Sequence, residues 1–178
     1  MKQIPKTTLT FLLSLQLLTG CEQPGPEKYF GIAVLNSHLV AGFANDGFQR
    51  ELDQLSVAPV KGRGDQTQPM KRTDVVNDRI RFVEGNLKKL KGLKETSDTR
   101  EILQASIQLH EFILPVYRSE YQQLADMYDD CMPNDTIRDA AEAIHDKYSA
   151  GFEERYNALI NSGKMFATKH KIPVNWAN

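Results

Sequence analysis

Residues 134–171 read NDTIRDAAEAIHDKYSAGFEERYNALINSGKMFATKHK, and this stretch decides the fold. Steps of three and four residues pick out Ile137, Ala141, Ile144, Tyr148, Phe152, Tyr156, Leu159, Gly163 and Phe166 as one face. Apolar residues at that spacing mark an amphipathic helix with one side against a core. The stretch follows Pro133 and ends before Pro173, which cannot continue a helix, so a single long helix to about Lys171 is expected.

Working back along the chain, the same period recurs. Ile102, Leu109, Ile113, Val116, Leu124 and Met127 place a helix from Ser97-Asp98 to about Asp130, with Ser97 and Glu101 near a capping-box arrangement. Pro115 lies inside it and predicts a kink, because the pattern continues on both sides. Val76, Ile80, Val83, Leu87 and Leu90 place another helix over about Met70 to Leu93, with Thr73 or Asp74 as its cap. A first helix is expected from about Lys28 to Ser56, with Val34, His38, Ala41, Asn45, Phe48, Leu52 and Leu55 as its seam. His38 and Asn45 are polar seam positions, which reads as a hydrogen-bonded layer fixing register or as a polar pocket. The segment 58–69, rich in Gly and Pro, reads as a loop, and no strand pattern stands out.

Short connections favour antiparallel neighbours, so the expected fold is all-α: an antiparallel up-down-up-down four-helix bundle over residues 28–172, with residues 173–178 as a tail. That topology puts the start of the first helix, the end of the second, the start of the third and the end of the fourth at one end of the molecule.

Ahead of the bundle, Lys2 and Lys6 precede an apolar run from Leu9 to Leu18, followed by Leu18-Thr19-Gly20-Cys21. A positive start, an uncharged apolar stretch and a small residue before the cleavage point are the parts of a secretory signal. The run is shorter than the ~20 residues a membrane span needs. Leu18-Thr19-Gly20-Cys21 resembles a bacterial lipobox. The resemblance implies a signal peptide over 1–20, cleavage before Cys21, acylation of Cys21 and a tether over 21–27, here Pro- and Gly-rich. It implies an exported protein held to a bacterial membrane by its acyl chains, at an outer membrane or cell surface rather than an inner membrane. In outline the whole chain resembles small all-helical bacterial surface lipoproteins of no assigned activity, and that likeness brings no functional residue besides Cys21.

The full chain holds 22 basic and 23 acidic residues; losing Lys2 and Lys6 with residues 1–20 leaves 20 against 23. A net charge near −3 argues against a nucleic-acid partner. With Cys21 acylated, Cys131 is alone and no internal disulfide forms. Between Lys71 and Lys94 stand eight basic and three acidic residues, and Lys88, Lys89, Lys91 and Lys94 crowd one helix end. Cations there suit the helix dipole, and also suit anionic lipid head groups at the tethered end.

Candidate chemistry is sparse. Glu142 and His145, three apart, share a helix face, and Glu-x-x-His is the unit of di-iron carboxylate bundles, which need a second such pair. Counting down from the distal end puts Asp46, Asp78, Glu120 and His145 at similar height, so Glu120, Glu142 and His145 form a conceivable mononuclear metal site. Tyr117, Tyr121, Tyr128, Tyr148 and Tyr156 form an aromatic zone that reads as core and rim or as a groove lining. Arg63-Gly64-Asp65 in the loop resembles an integrin-recognition tripeptide, too short to be specific. No phosphate loop, nucleophile elbow, haem-attachment motif or zinc spacing is present.

The reading is a non-enzymatic, lipid-anchored binding or structural module of the cell envelope, without a cofactor and with an envelope protein as a possible partner. The alternatives are a metal- or cofactor-binding bundle and an inhibitor- or immunity-type surface lipoprotein.

Overall fold

The computed structural model describes residues 24–54 and 56–176, and they are overwhelmingly helical. The signal over 1–20, Cys21, the first part of the tether and Leu55 lie outside the described residues. The protein is all-α, with one small β-ribbon.

Three long helical stretches follow their apolar stripes. Helix α3 spans Arg72–Gly92, with Val76, Val83 and Leu90 buried. Helix α4 spans Arg100–Val116, and a π turn over Tyr117–Tyr121 leads without interruption into α5, Gln122–Asp129. Pro115 has no N–H to offer the preceding turn, and the chain passes from α to π geometry just after it, a usual way for a helix to absorb a local irregularity. Helix α6 spans Asn134–His170, and Lys171 ends it in the left-handed conformation, with its N–H on the carbonyls of Ala167 and Thr168.

The expected first helix is corrected. Where one helix over 28–56 is expected, residues 26–53 form α1 (Pro26–Ala33), a 3₁₀ segment (Leu35–Val40), a turn, and α2 (Asp46–Asp53). Two contacts require the break. The backbones of Gly42 and Gly47 approach so closely that a Cβ on Gly47 would lie 2.9 Å from Gly42 Cα, and one on Gly42 would lie 2.9 Å from Phe48 N. Asn45 then starts α2 as its N-cap, its side-chain oxygen accepting from Gly47 N–H at 2.7 Å while its Nδ2 donates back to Ala41 O. Asn45 and His38 are exposed, so neither forms a seam layer or an internal pocket.

The expected loop is corrected as well. Val57–Pro59 (β1) pairs antiparallel with Thr67–Pro69 (β2), closing a ribbon whose exposed tip carries Arg63-Gly64-Asp65, with Gly62 just before it and Gly64 within it at positive φ. The caps differ too. The reciprocal bonds at the start of α4 join Thr96 and Thr99, each backbone N–H donating to the other's hydroxyl, and no side chain of its own caps α3.

Side-chain pairs give the directions of the chain. Asp129 meets Thr73, Arg118 meets Glu84, and Lys91 meets Glu111, so α3 runs antiparallel to α4 and α5. Glu120 meets Lys147 and Asp98 meets Lys169, so α6 runs antiparallel to them in turn. The first segment runs against α3, with Tyr29 Oη on Lys94 O, Asn36 on Asn86, Glu51 on Arg79, and Arg72 Nε on Leu52 O. The start of α1, the end of α3, the start of α4 and the end of α6 therefore share one end.

The core is centred on Phe43 and Phe48 from the broken segment. Phe43 meets Tyr117 at 5.3 Å and Phe152 at 5.2 Å between ring centroids; Phe48 meets Tyr121 at 4.9 Å. Edge-on aromatic pairs contribute about 0.5–1.5 kcal/mol each beyond the area they bury. The tail folds back, with Trp176 edge-on to Phe30.

Candidate functional site

The turn before α2 forces Ala44 into the left-handed region at φ 49°, which costs an L-residue about 1–2 kcal/mol. Both of its backbone polar groups are taken up by side chains from other helices. Ala44 N–H donates to Tyr121 Oη at 2.8 Å, and His145 Nδ1, 2.9 Å from Ala44 O, donates to it. Burial pushes the Tyr121 phenol up to about 12, partly offset by the bond from Ala44, so it stays a neutral hydrogen-bonding group. His145 is thus a clasp across 101 residues of sequence. The cleft beside it, lined by Asn45, Asp46, Gln49, Tyr121 and Glu142, has a volume of about 130 Å³, well under the ~300 Å³ where small-molecule sites begin.

Glu120 faces a different groove, with Met127, Ile144 and Tyr148. The hydroxyls of Ser119 and Tyr148 donate to its carboxylate, and Lys147 Nζ lies 3.2 Å away. Partial burial pushes this carboxyl up; those donors and its own backbone N–H outweigh it and bring it down to about 2. Its lone pairs are committed to this chain's own donors. Glu142 is exposed, 3.8 Å from Arg138. Asp78 pairs with Arg81 on a third groove, beside Met70 and Val75. The structure therefore brings Asp46, Glu142 and His145 to one cleft and leaves Glu120 and Asp78 out. Among the described residues no group of three His, Cys, Asp or Glu side chains could hold a metal ion.

The tyrosines divide as core and rim. Tyr117 and Tyr121 are buried and stacked at 5.0 Å; Tyr128, Tyr148 and Tyr156 are half-buried, with Tyr128 Oη donating to Asp53 at 2.5 Å. Between the first segment, α6 and the tail lies a recess of about 360 Å³, lined by Leu35, His38, Ile160, Lys164, Val174 and Trp176 among others. Cys131 is exposed in the turn between α5 and α6 at φ 54°.

A buried polar chain is the feature that periodicity did not reveal. His110 is fully buried, and its Nδ1 donates to Ser106 O at 2.7 Å, which leaves Nε2 to accept from Asn86 Nδ2 at 2.9 Å. Asn86 Oδ1 accepts from Asn36 at 2.6 Å, and Ser106 Oγ donates to Ala33 O. Burial holds the His110 imidazole below its usual range, and the Ser106 carbonyl only partly counters this. The signal in the sequence was slight: Asn86 sits beside Leu87 on the α3 stripe, and His110 beside Leu109 on that of α4. This chain of bonds stitches the first segment to α3 and α4.

Comparison with known families, with curated proteins and with solved structures finds no match.

Proposed function

We propose that this chain is a lipid-anchored protein of the bacterial cell envelope that acts as a binding or structural module without catalysis. In this reading residues 1–20 are a cleaved signal, Cys21 carries the acyl chains, and the helical body works as an up-down-up-down four-segment bundle whose first leg is the broken segment 26–53. The observation that carries it is Leu18-Thr19-Gly20-Cys21 directly after an uncharged apolar run and directly before a Pro- and Gly-containing linker. Two of the polar side chains described above also favour it: the Glu120 carboxylate and both ring nitrogens of His110 are bonded to this chain's own groups.

The test is fractionation of bacteria expressing the full chain or its Cys21→Ser variant, grown with a labelled fatty acid. Label on the wild-type chain in the membrane fraction, and an unlabelled, unprocessed Cys21→Ser chain, are the expected results. An unlabelled wild-type chain in the soluble fraction overturns the proposal.

A further inference from the structure

The charge of this protein is not spread evenly over its length. The body is long: α6 alone, at 37 residues, spans about 55 Å. At the end where α1 begins, α3 ends, α4 begins and α6 ends, the exposed lysines Lys28, Lys88, Lys89, Lys94, Lys164 and Lys171 make no ion pair among the described residues. Lys91, Arg100 and Lys169 are there too, paired with Glu111, Glu95 and Asp98. Of the acids at this end, Glu95, Asp98 and Glu111 are engaged in those pairs, which leaves Glu27 and Glu101. The full chain is net −1, so the rest of the molecule is clearly acidic.

We infer that this basic pole is a docking surface for an anionic lipid bilayer, seated by Lys88 and Lys89 in the last turns of α3 and by Lys94 just after it. The inference deepens the lipid-anchor reading and rests on it for orientation, since the linker before Pro26 leaves the body at this same pole. Three features favour a bilayer over another anion. The lysines come from α1, α3, the connection after α3, α6 and the residue just after α6, all at one end of parallel rods, so they present a broad face and not a stripe along a groove. Screening confines the attraction to about 10 Å, less than a fifth of the length of α6, so the acidic remainder feels little of it when the body stands upright on the surface. The unpaired cations are lysines, which act as hydrated point charges suited to a diffuse layer of head groups.

Each basic residue near such a surface strengthens binding by roughly fivefold. The full chain carrying Cys21→Ser, which cannot be acylated, is mixed with phosphatidylcholine vesicles with or without phosphatidylglycerol and sedimented. The leader, with Lys2 and Lys6, is common to every variant, so its own binding cancels in the comparison between variants, and the outcome does not depend on whether Cys21 is acylated in cells. Preference for the anionic vesicles, falling with added salt and dropping about 25-fold in Lys88→Gln/Lys89→Gln, is expected. Lys61→Gln/Arg63→Gln at the ribbon tip serves as the comparison and is expected to leave binding within about twofold, with circular dichroism confirming that both variants stay helical. Equal binding to both kinds of vesicle overturns the inference. So does an equal loss in the two variants, or retention by soluble DNA without retention by anionic vesicles.

Discussion

The carboxylate of Asp129, at the end of α5, caps the first turn of α3. It accepts from Arg72 N–H at 2.8 Å, from Thr73 N–H at 3.1 Å and from the Thr73 hydroxyl at 2.8 Å. Residue 71, where a local cap would stand, is a lysine that makes no such bond. The free N–H groups of a helix start are thus satisfied from another helix, more than fifty residues away in sequence. Partial burial raises the Asp129 carboxyl, and these donors outweigh it and hold it below the usual carboxylate range.

Asp129→Ala is therefore expected to lower stability by about 1–2 kcal/mol, the cost of losing a good N-cap, and Asp129→Asn by less. Urea denaturation followed by circular dichroism measures both. A neutral Asp129→Ala would mean that water replaces the carboxylate without loss.

His110 predicts a pH dependence. Its folded-state affinity for protons is lowered below the ordinary histidine value of about 6.5, so below that pH the unfolded chain binds more protons than the folded one. Stability is then complete above about pH 6.5 and declines as pH falls toward the depressed value. His110→Gln is expected to cost about 1–3 kcal/mol at neutral pH, by disturbing a buried bond to Asn86, and to flatten the decline between pH 6.5 and 5. Denaturation midpoints of both proteins across that range measure it; an unchanged slope in the variant would assign the dependence to other groups.

Two glycines inside helices separate packing from propensity. A Cβ on Gly163 would lie 2.9 Å from Val34 Cγ1 and 3.0 Å from Cγ2, in the buried seam between α6 and the first segment. A Cβ on Gly85 meets nothing within 4 Å. Gly85→Ala is expected to stabilise by about 0.5–1 kcal/mol, and Gly163→Ala to fall about 1–3 kcal/mol below it in thermal or urea unfolding. Equal gains at the two positions would show that Val34 yields freely.

His145 is expected to act on stability and not on metal content. Replacing it by Ala removes the donor to Ala44 O and should lower stability by about 0.5–1.5 kcal/mol, while the metal content of the purified protein stays as in the wild type. Stoichiometric metal in the wild type that disappears in His145→Ala would restore the bundle-metal reading.

Helices α3 and α6 were legible in the sequence because a long apolar stripe at helical spacing fits no strand or loop. The first segment was not. Phe48 and Leu52 keep the helical step, but the close approach of Gly42 to Gly47 and the left-handed Ala44 depend on Tyr121 and His145, which sit far away in sequence. The ribbon over 57–69 was hidden by its brevity: three residues a side show no alternation to read. Glu142 and His145 share a face, as their spacing required, but that face borders the cleft of Ala44 and Tyr121, while Glu120 meets Tyr148 on the next one. The Asn36–Asn86–His110 chain joins three segments, and one-dimensional periodicity cannot pair them.

The lipid anchor turns on Cys21. Mass spectrometry of the N-terminal peptide of the protein recovered from bacterial membranes tests it most directly. A peptide that begins at Cys21 and carries a diacylglyceryl group on its sulfur is the expected result. A peptide that begins at Met1, or one cleaved elsewhere with Cys21 unmodified, would contradict it.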